Sequence, residues 1–219
     1  MKNNFGVIFD MDGVLVHSNP AHKTAIKKFC DQHQLEASDS FLENRVYGRT
    51  NKEWIPELFG DLTDEELKQL ADDKEALFRK DFNPVTAMVP GLIGFLDELK
   101  NNRVKTMVAT SAPGENADYI LGSLKIRNYF DSVLDSSHVD KGKPEPEVYL
   151  KAASALGLPA DRCFVIEDSI AGVQAGVRAG AKVIGVTTTH APEELENCVK
   201  VIDDFTGTSY NTLARLMES

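Results

Sequence analysis

Cysteine, basic charge and long apolar runs are all scarce in this chain of 219 residues. The three cysteines, Cys30, Cys163 and Cys198, are odd in number and far apart, which excludes a disulfide framework and a CxxC metal motif. Such usage is typical of reduced thiols in a cytoplasmic protein. The first residues, MKNNFGVIFD, lack a secretory signal pattern because their apolar stretch is short and ends at Asp10. We therefore expect a cytoplasmic protein.

The charge balance is acidic, with 34 Asp and Glu against 24 Lys and Arg and a formal net charge of −10. A surface of this sign disfavours non-specific binding to nucleic acid and to anionic membranes. No apolar run approaches the length of a membrane span. We therefore expect neither nucleic acid nor a membrane as a partner, and a monomer is the default expectation. An anionic substrate would need a cation close by.

Short apolar runs alternate with segments of helical spacing, such as Ile170, Val173 and Val177. Uninterrupted apolar runs of this length are typical of parallel strands buried on both faces. Their alternation with helices predicts an α/β fold, a doubly wound, Rossmann-like parallel sheet. The runs are FGVIF (5–9), VKTMVAT (104–110), CFVIE (163–167), KVIGV (182–186) and a weaker edge candidate, VKVI (199–202).

Residues 17–87 break this alternation, because they show helical spacing and no strong strand signal. Thr63 with Glu66 three residues later predicts a capping box at the start of a long helix. Pro90–Gly91 marks the return to strand-and-helix alternation. We therefore predict an inserted α-helical cap domain over 17–87, and a catalytic core formed by 1–16 and 88–219.

Polar side chains follow three of the apolar runs, and a lysine lies between two of these runs. Because the carboxyl ends of parallel strands meet at one rim of the sheet, we expect these side chains to converge. Carboxylates packed together raise one another's pKa unless a cation intervenes, and Mg²⁺ is the hard cation that oxygen ligands prefer. The set is Asp10, Asp12, Thr110, Ser111, Lys143, Glu167 and Asp168.

Each of these residues also has a purely structural interpretation. Asp168 with Ser169 could simply begin the following helix, as N-caps do. Lys143 could be a solvated loop lysine, and Thr110 a packed strand residue. These interpretations weaken jointly, because carboxylates packed together repel one another unless a cation intervenes. Mg²⁺ with two or three carboxylates, one lysine and one hydroxyl is a set that binds a phosphoryl group.

Four stretches of the chain resemble, in order, the motifs of the haloacid dehalogenase (HAD) superfamily of phosphotransferases. The pattern is most similar to the β-phosphoglucomutase-like branch, in which a helical cap follows the first strand. The resemblance implies Mg²⁺ as cofactor and a small-molecule phosphate ester as substrate. The stretches are FDMDGVLVHS, VATSA, GKPEPEVYLKAASALGL and VIEDSIAGVQAGVRAGAKVIGVTTTH.

The resemblance assigns a role to each residue of the set. Asp10 would be the nucleophile that forms an aspartyl-phosphate, and Asp12 the general acid and then the general base. Thr110, Ser111 and Lys143 would bind the substrate, and Lys143 would also neutralise charge on the nucleophile and the phosphoryl group. The implied Mg²⁺ ligands are Asp10, the backbone carbonyl of Asp12, Asp168 and, directly or through water, Glu167.

The resemblance also implies that the insert selects the substrate, with His22 and Lys74 in contact with it. His22 could instead be a helix-surface histidine and Lys74 a solvated lysine. Arg49 and Asn51 are further substrate-binding candidates. Here the chain departs from the branch pattern. The mutase has a glycine followed three residues later by an arginine that holds a second phosphate, whereas Gly48 is followed at that spacing by Asn51. Arg49 falls two places early.

A second departure follows the VAT stretch, where the mutase has a serine and a lysine near the sugar and this chain has Ala112 and Pro113. Both departures favour a phosphatase, a monoesterase acting on a sugar or polyol phosphate. The alternative is a β-phosphoglucomutase-type sugar phosphate mutase.

Three other classes are disfavoured. A dehalogenase of this superfamily lacks the second aspartate, which is present here as Asp12. A phospho-acceptor receiver domain is shorter, lacks a large insert and carries its aspartate on a later strand. A catalytically silent binding protein is disfavoured because every catalytic position is intact.

Overall fold

The computed structural model describes residues 5–47 and 49–218, without the side chain of Glu43. The chain divides into two units, which are described separately below. The first, the sheet unit, comprises Met1–His17 and Pro84–Ser219, and the second, the insert, comprises Ser18–Asn83.

The limits of the insert differ slightly from the predicted 17–87. The segment Pro84–Ala87 groups with the sheet unit. The backbone N–H of His17 donates to the carbonyl of Ala87 at 2.7 Å, and that of Val89 donates to the carbonyl of Leu15 at 3.1 Å. These bonds tie the segment after the insert to the segment before it. The functional labels, core and cap, stay predictions.

The sheet is parallel and six-stranded, with the order β3-β2-β1-β4-β5-β6. This order confirms the doubly wound α/β architecture and the edge strand near residue 200. Sequence reasoning missed β3, which has only three residues, all of them partly exposed. The strands are β1 (Gly6–Phe9), β2 (Lys105–Ala109), β3 (Ser132–Leu134), β4 (Cys163–Glu167), β5 (Lys182–Val186) and β6 (Lys200–Ile202).

Helices connect the strands and build the insert. None of the helices in the described ranges is long and apolar enough to cross a bilayer. They are α1 (Asn19–Gln32), α2 (Asp39–Phe41), α3 (Asn51–Phe59), α4 (Asp64–Asp81), α5 (Pro84–Ala87), α6 (Leu92–Asn101), α7 (Gly114–Leu124), α8 (Glu147–Leu156), α9 (Ile170–Arg178) and α10 (Tyr210–Glu218). A π-helical segment covers Leu42–Val46, and short 3₁₀ segments cover Arg127–Tyr129, Ser136–His138, Ala160–Arg162 and Pro192–Glu194.

Helices cover both faces of the sheet. Successive strand residues point to opposite faces, and neighbouring residues of β1 show where each face packs. Ile8 belongs to a buried cluster with Tyr149 of α8 and Val173 of α9. The ring of Phe9 lies 6.1 Å from that of Phe95 in α6. The central strand is therefore buried on both faces, as its uninterrupted apolar run predicted.

The buried face of α9 differs from the predicted apolar stripe. Val173 is buried, but Ile170 is 38% exposed and Val177 is 40% exposed. The face against the sheet consists instead of small residues. A methyl group at Gly172 would lie 1.8 Å from Oε1 of Glu167, and one at Gly176 would lie 2.8 Å from Val183. Close approach to the sheet, which only small residues permit, overrides the hydrophobic periodicity here.

The insert is helical and has its own apolar cluster, which includes Phe29 of α1 and Trp54 of α3 with ring centroids 5.8 Å apart. The predicted capping box at the start of α4 is confirmed. The backbone N–H of Thr63 donates to the Glu66 carboxylate at 2.8 Å, and that of Glu66 donates to the Thr63 hydroxyl at 3.3 Å. This reciprocal pair stabilises the first turn of the longest helix of the insert.

We predict that Gly172→Ala lowers the free energy of unfolding by about 1–3 kcal/mol, because the added methyl group must displace the Glu167 carboxylate. Gly122→Ala is the matched control, since no atom lies within 4 Å of a methyl group at this helical glycine of α7. That change should be neutral or stabilising by up to about 1 kcal/mol. Urea unfolding of both variants checks this. Equal stability of the two would contradict the packing.

Candidate active site

Two neighbouring strands bring three carboxylates together. Beyond β1, the backbone N–H of Asp10 donates to the carbonyl of Ile166 in β4 at 3.0 Å, so the pairing of the two strands continues to the rim. Glu167 and Asp168 come next in the chain. One carboxylate oxygen from each acidic residue lies within 4.8 Å of those of the other two, and all three residues are buried. The predicted convergence of strand ends therefore places these residues in one cluster.

Lys143 enters this cluster from the loop before α8. Its Nζ lies 2.6 Å from Oδ1 of Asp10 and 2.5 Å from Oε1 of Glu167. The side chain of Lys143 is only 9% exposed. The interpretation as a solvated loop lysine is therefore wrong. The ammonium is shared between two buried carboxylates.

Glu167 is the most heavily hydrogen-bonded member of the cluster. Oε1 accepts from Lys143 and, at 2.5 Å, from the hydroxyl of Tyr149. Oε2 accepts from the backbone N–H of Asp168 at 3.0 Å and from the N–H and hydroxyl of Ser169 at 3.1 and 3.0 Å. Both oxygens are engaged, so direct coordination of a cation by Glu167 would compete with these donors.

Burial raises the pKa of the other two carboxyl groups. For Asp10 the pKa lies well above the ordinary value, because burial and then the charges of Glu167 and Asp168 outweigh the opposing effect of Lys143. Burial and the neighbouring Glu167 raise the pKa of Asp168 to about 7. One ammonium is therefore not enough to keep all three carboxyl groups ionised at low cost.

The pKa values of Lys143 and Glu167 shift in the directions that keep both groups charged. Burial alone would lower the pKa of Lys143, but the charges of Asp10 and Glu167 raise it well above the ordinary value. Burial alone would raise the pKa of Glu167, but Lys143 and the hydrogen bonds of Tyr149 and Ser169 lower it. This pair is therefore an ion pair in the folded protein.

Asp12 lies half-buried just beyond Asp10, where the chain turns. Gly13 adopts φ +78°, and a methyl group there would lie 1.9 Å from Oδ2 of Asp168, so the turn requires glycine. The carbonyl of Gly13 accepts from the hydroxyl of Thr188 at 2.5 Å. The charge of Asp12 contributes to the raised pKa of Asp168. Asp12 is therefore close enough to act on the cluster electrostatically.

Thr110 and Ser111 leave β2, which pairs directly with β1. Thr110 is buried, and its N–H donates to the carbonyl of Leu134 at 2.9 Å. Its hydroxyl accepts from the N–H of Ala112 at 3.0 Å, which leaves the hydroxyl hydrogen able to donate. Ser111 is exposed. Both residues follow a strand that ends at the same rim as β1.

Sequence reasoning missed several residues that hold the cluster. Tyr149 is one of them, because no local spacing links it to Glu167, which is 18 residues away in the chain. Thr188 and Thr189 follow β5, and the strand-end rule could have identified them; the hydroxyl of Thr189 donates to Oδ2 of Asp168. Ser169 caps α9 by accepting from the N–H of Gly172 at 3.0 Å, so the helix-start interpretation describes Ser169 correctly.

The cluster has the chemistry of a site for a hard divalent cation. It offers carboxylate oxygens from Asp10, Glu167 and Asp168, all buried, with the Asp12 backbone close by in the chain. All-oxygen sets with several negative charges suit Mg²⁺. A bound cation would favour the ionised forms that burial opposes in Asp10 and Asp168. The residues present therefore fit a Mg²⁺ ion.

Within the insert, His22 and Lys74 are in direct contact. Nζ of Lys74 lies 3.1 Å from Nδ1 of His22 and donates to Oε1 of Glu75 at 2.8 Å. The His22 ring stacks on Phe78 at 3.8 Å. Lys74 is buried, unlike an ordinary helix-surface lysine. The substrate-binding roles of His22 and Lys74 stay predictions.

The other two predicted residues of the insert make local contacts. Asn51 donates to Oε1 of Glu75 at 2.8 Å and accepts from the indole of Trp54 at 3.2 Å. The guanidinium of Arg49 donates to Glu57 at 2.6 Å and also to two backbone carbonyls. Gly48, on which the comparison with the branch pattern depends, lies outside the described residues. The substrate-binding roles of Asn51 and Arg49 stay predictions.

The comparisons with known proteins agree with this geometry. The model of the haloacid dehalogenase-like hydrolase family matches residues 7–186. The chain belongs to this family. The match includes both strands that carry the acidic cluster and the loop of Lys143.

Relatives and a solved structure extend the HAD assignment across the chain. Validoxylamine A 7'-phosphate phosphatase of Streptomyces hygroscopicus subsp. limoneus is 31% identical, over 91% of this chain and 93% of the relative. Beta-phosphoglucomutase of Bacillus subtilis is 31% identical, over 82% of each chain. The crystal structure of a HAD hydrolase, family IA, variant 3, from Entamoeba histolytica is 27% identical, with a TM-score of 0.89 over 98% of this chain and 100% of the other. The predicted HAD resemblance is confirmed.

We predict that Mg²⁺ stabilises the protein and that the effect grows with pH. At a concentration about 100 times Kd the melting temperature should rise by about 5–10 °C at pH 8. The rise should be smaller at pH 5.5, because Asp168, with a pKa of about 7, is then protonated and protons compete with the cation. Thermal melts with Mg²⁺ and with EDTA at both pH values measure this.

The linkage has a definite sign in the metal-free protein. A carboxyl group whose pKa is raised on folding destabilises the folded state as the pH rises from its ordinary pKa, 3.8, to about 7. The cation relieves this penalty. Asp168→Asn is the control and should remove most of the pH difference. A Mg²⁺ effect that is absent, or the same at both pH values, would contradict the proposed ligand set.

Proposed function

We propose that the protein is a Mg²⁺-dependent phosphatase that hydrolyses a small phosphorylated metabolite, a sugar or polyol phosphate, through an aspartyl-phosphate intermediate. One observation carries the proposal: the buried Asp10 carboxylate lies 2.6 Å from the Lys143 ammonium and in the same cluster as Asp168. A carboxylate held in this way beside a cation is suited to attack phosphorus.

Asp10 is the proposed nucleophile. Its carboxylate oxygen forms a bond to phosphorus while the bond from phosphorus to the ester oxygen breaks. Lys143 holds the nucleophile and balances the negative charge that the phosphoryl group brings into the cluster. Thr110, whose hydroxyl hydrogen can donate, is the proposed hydrogen-bond partner of a phosphoryl oxygen, and Ser111 is proposed to contact the substrate beside it.

Asp12 is the proposed proton carrier. Its carboxyl group protonates the leaving ester oxygen, and the resulting carboxylate then takes a proton from water as the water attacks the aspartyl-phosphate. The bond between the Asp10 carboxylate oxygen and phosphorus breaks, which regenerates the Asp10 carboxylate and releases inorganic phosphate. Atoms and charges therefore balance over the two steps.

Asp10, the backbone carbonyl of Asp12, Asp168 and Glu167, directly or through water, would hold the Mg²⁺ ion. When bound, the ion supplies positive charge that neutralises the phosphoryl oxygens and the nucleophile. Both Glu167 oxygens already accept hydrogen bonds from five donors, so a direct bond from Glu167 to the ion would have to displace one of them. The ammonium of Lys143 neutralises charge on Oδ1 of Asp10, to which it donates a hydrogen bond.

Hydrolysis is favoured over a mutase reaction because Asn51 stands where the mutase pattern has the arginine that holds a second phosphate. A mutase must hold a bisphosphate and exclude water while the intermediate reorients. The guanidinium of Arg49 is engaged by Glu57 and by the carbonyls of Arg45 and Glu53. The names of the relatives include both a phosphatase and a phosphoglucomutase. The mutase is therefore the alternative that the experiment must address.

The first test measures phosphate release from a panel of sugar phosphates, polyol phosphates, nucleotides and pyrophosphate. We expect release from a sugar or polyol phosphate with Mg²⁺ and none with EDTA. The isosteric Asp10→Asn should lower the rate by about 10⁴-fold or more while leaving the fold intact. Absence of phosphate release from every compound would contradict the proposed phosphatase activity. Isomerisation of β-glucose 1-phosphate that depends on an added bisphosphate would favour the mutase alternative.

A second prediction separates the roles of the two aspartates. Asp12→Asn should retain the nucleophile but lack the base that activates water, so phosphoenzyme should accumulate on Asp10. A substrate with a good leaving group, such as p-nitrophenyl phosphate, needs little acid assistance and is the suitable reagent. Intact-mass spectrometry after acid quenching measures the adduct. Normal turnover by Asp12→Asn would contradict the proposed role.

A further inference from the structure

The loop that carries Lys143 has no regular secondary structure, so contacts with its surroundings must fix its shape. The carboxylate of Glu147, the first residue of α8, accepts from the backbone N–H of Asp140 at 3.1 Å and of Lys141 at 2.9 Å. Arg178 of α9 donates to the carbonyl of Pro144 at 3.1 Å. These bonds anchor the backbone on both sides of Lys143. They do not determine where its long, flexible side chain ends.

Tyr149, two residues after Glu147 on α8, lies where it can determine the position of the Lys143 ammonium. Its side chain is fully buried. Its hydroxyl donates to Oε1 of Glu167 at 2.5 Å, the same oxygen that accepts from Lys143. The centre of its ring lies 5.0 Å from Nζ of Lys143, within the range of a cation–π contact. Tyr149 therefore touches both the ammonium and one of the ammonium's two acceptors.

We infer that Tyr149 is a positioning residue that keeps Lys143 aimed at Asp10. The Tyr149 hydroxyl occupies one acceptor position on Oε1 of Glu167, and Lys143 occupies another. The carboxylate is thereby held in one orientation, with Oε2 bound to the start of α9. The Tyr149 ring lies against one side of the Lys143 ammonium, and Asp10 accepts a second hydrogen bond from the same ammonium. This inference deepens the proposed function, on which its catalytic meaning rests.

Removal of the Tyr149 hydroxyl should change the relative strength of the hydrogen bonds that Lys143 donates to Glu167 and to Asp10. Without the Tyr149 bond, Oε1 of Glu167 loses a donor and becomes a stronger acceptor for the remaining one, Lys143. The carboxylate also gains rotational freedom on that side. The ammonium then moves toward Glu167 and away from Asp10. With less positive charge beside Asp10, repulsion between its carboxylate and the anionic phosphoryl group slows attack, whereas substrate binding by other groups is little changed.

Tyr149→Phe is the variant that tests this, because it keeps the ring and removes only the hydroxyl. The protein also provides a matched control. The hydroxyl of Tyr129 donates to Oδ1 of Asp97 at 2.6 Å, and Nζ of Lys100 lies 4.8 Å from the Tyr129 ring. Tyr129→Phe thus breaks the same kind of bond beside the same kind of cation, outside the acidic cluster.

The first readout does not depend on activity. Lysine ammonium ¹H–¹⁵N NMR spectra of the wild-type protein should contain a slowly exchanging signal that Lys143→Met removes. We expect Tyr149→Phe to shift this signal or broaden it beyond detection, and Tyr129→Phe to leave it unchanged. A wild-type spectrum without the signal, or the same signal in Tyr149→Phe, would overturn the inference.

The second readout is kinetic. With a substrate identified from the panel, Tyr149→Phe should lower kcat by about tenfold and change KM by less than about twofold. Tyr129→Phe should match the wild type. A purely structural tyrosine would lower the melting temperature but leave kcat and the Lys143 signal unchanged, which would refute the inference. Failure of the wild type to hydrolyse any phosphate ester would reject the proposed function, and the NMR result would still decide the positioning role.

Discussion

The ammonium of Lys143, shared between Asp10 and Glu167, is the interaction on which the rest of the site depends. Burial of a carboxylate without a partner is costly, and removing one partner of a buried ion pair is costly because it leaves such an unpaired charge. Three buried carboxylates lie in the cluster, and the ammonium contacts two of them, Asp10 and Glu167. Burial first, and then the excess negative charge, raises the pKa values of Asp10 and Asp168. The residues of the cluster therefore fit a divalent cation, and phosphoryl binding beside that cation is part of the proposed function.

Glu167 links this charge cluster to the fold. One of its oxygens binds the loop lysine and the tyrosine of α8, and the other binds the first residues of α9. The contact is possible because Gly172 has no side chain at the point where α9 crosses the carboxylate. A carboxylate at the end of a central strand thus orients two helices and a loop. The position of Asp10, the proposed nucleophile, therefore depends on the packing of the sheet unit.

Much of the fold and of the acidic cluster could be predicted from the chain alone. Short uninterrupted apolar runs identified β1, β2, β4 and β5, because strands buried on both faces need apolar residues at successive positions. The sequence pattern did not predict β3, because its three residues are only partly buried and form no apolar run. The stripe of Ile170, Val173 and Val177 misidentified the buried face of α9, because close backbone approach selects glycine and alanine there. Tyr149 carried no signal, since its partner Glu167 is 18 residues away.

The sequence by itself determined the alternation of strands and helices, the residues at the strand ends and hence the class of chemistry. These properties depend on local pattern and on the rule that parallel strands end at one rim. Only the tertiary structure decided which donors meet which oxygens. It placed Lys143 between two carboxylates, filled every acceptor of Glu167 and brought Tyr149 and Thr189 to the cluster. Such contacts join segments far apart in the chain, and they are selected by packing and desolvation, which no local spacing encodes.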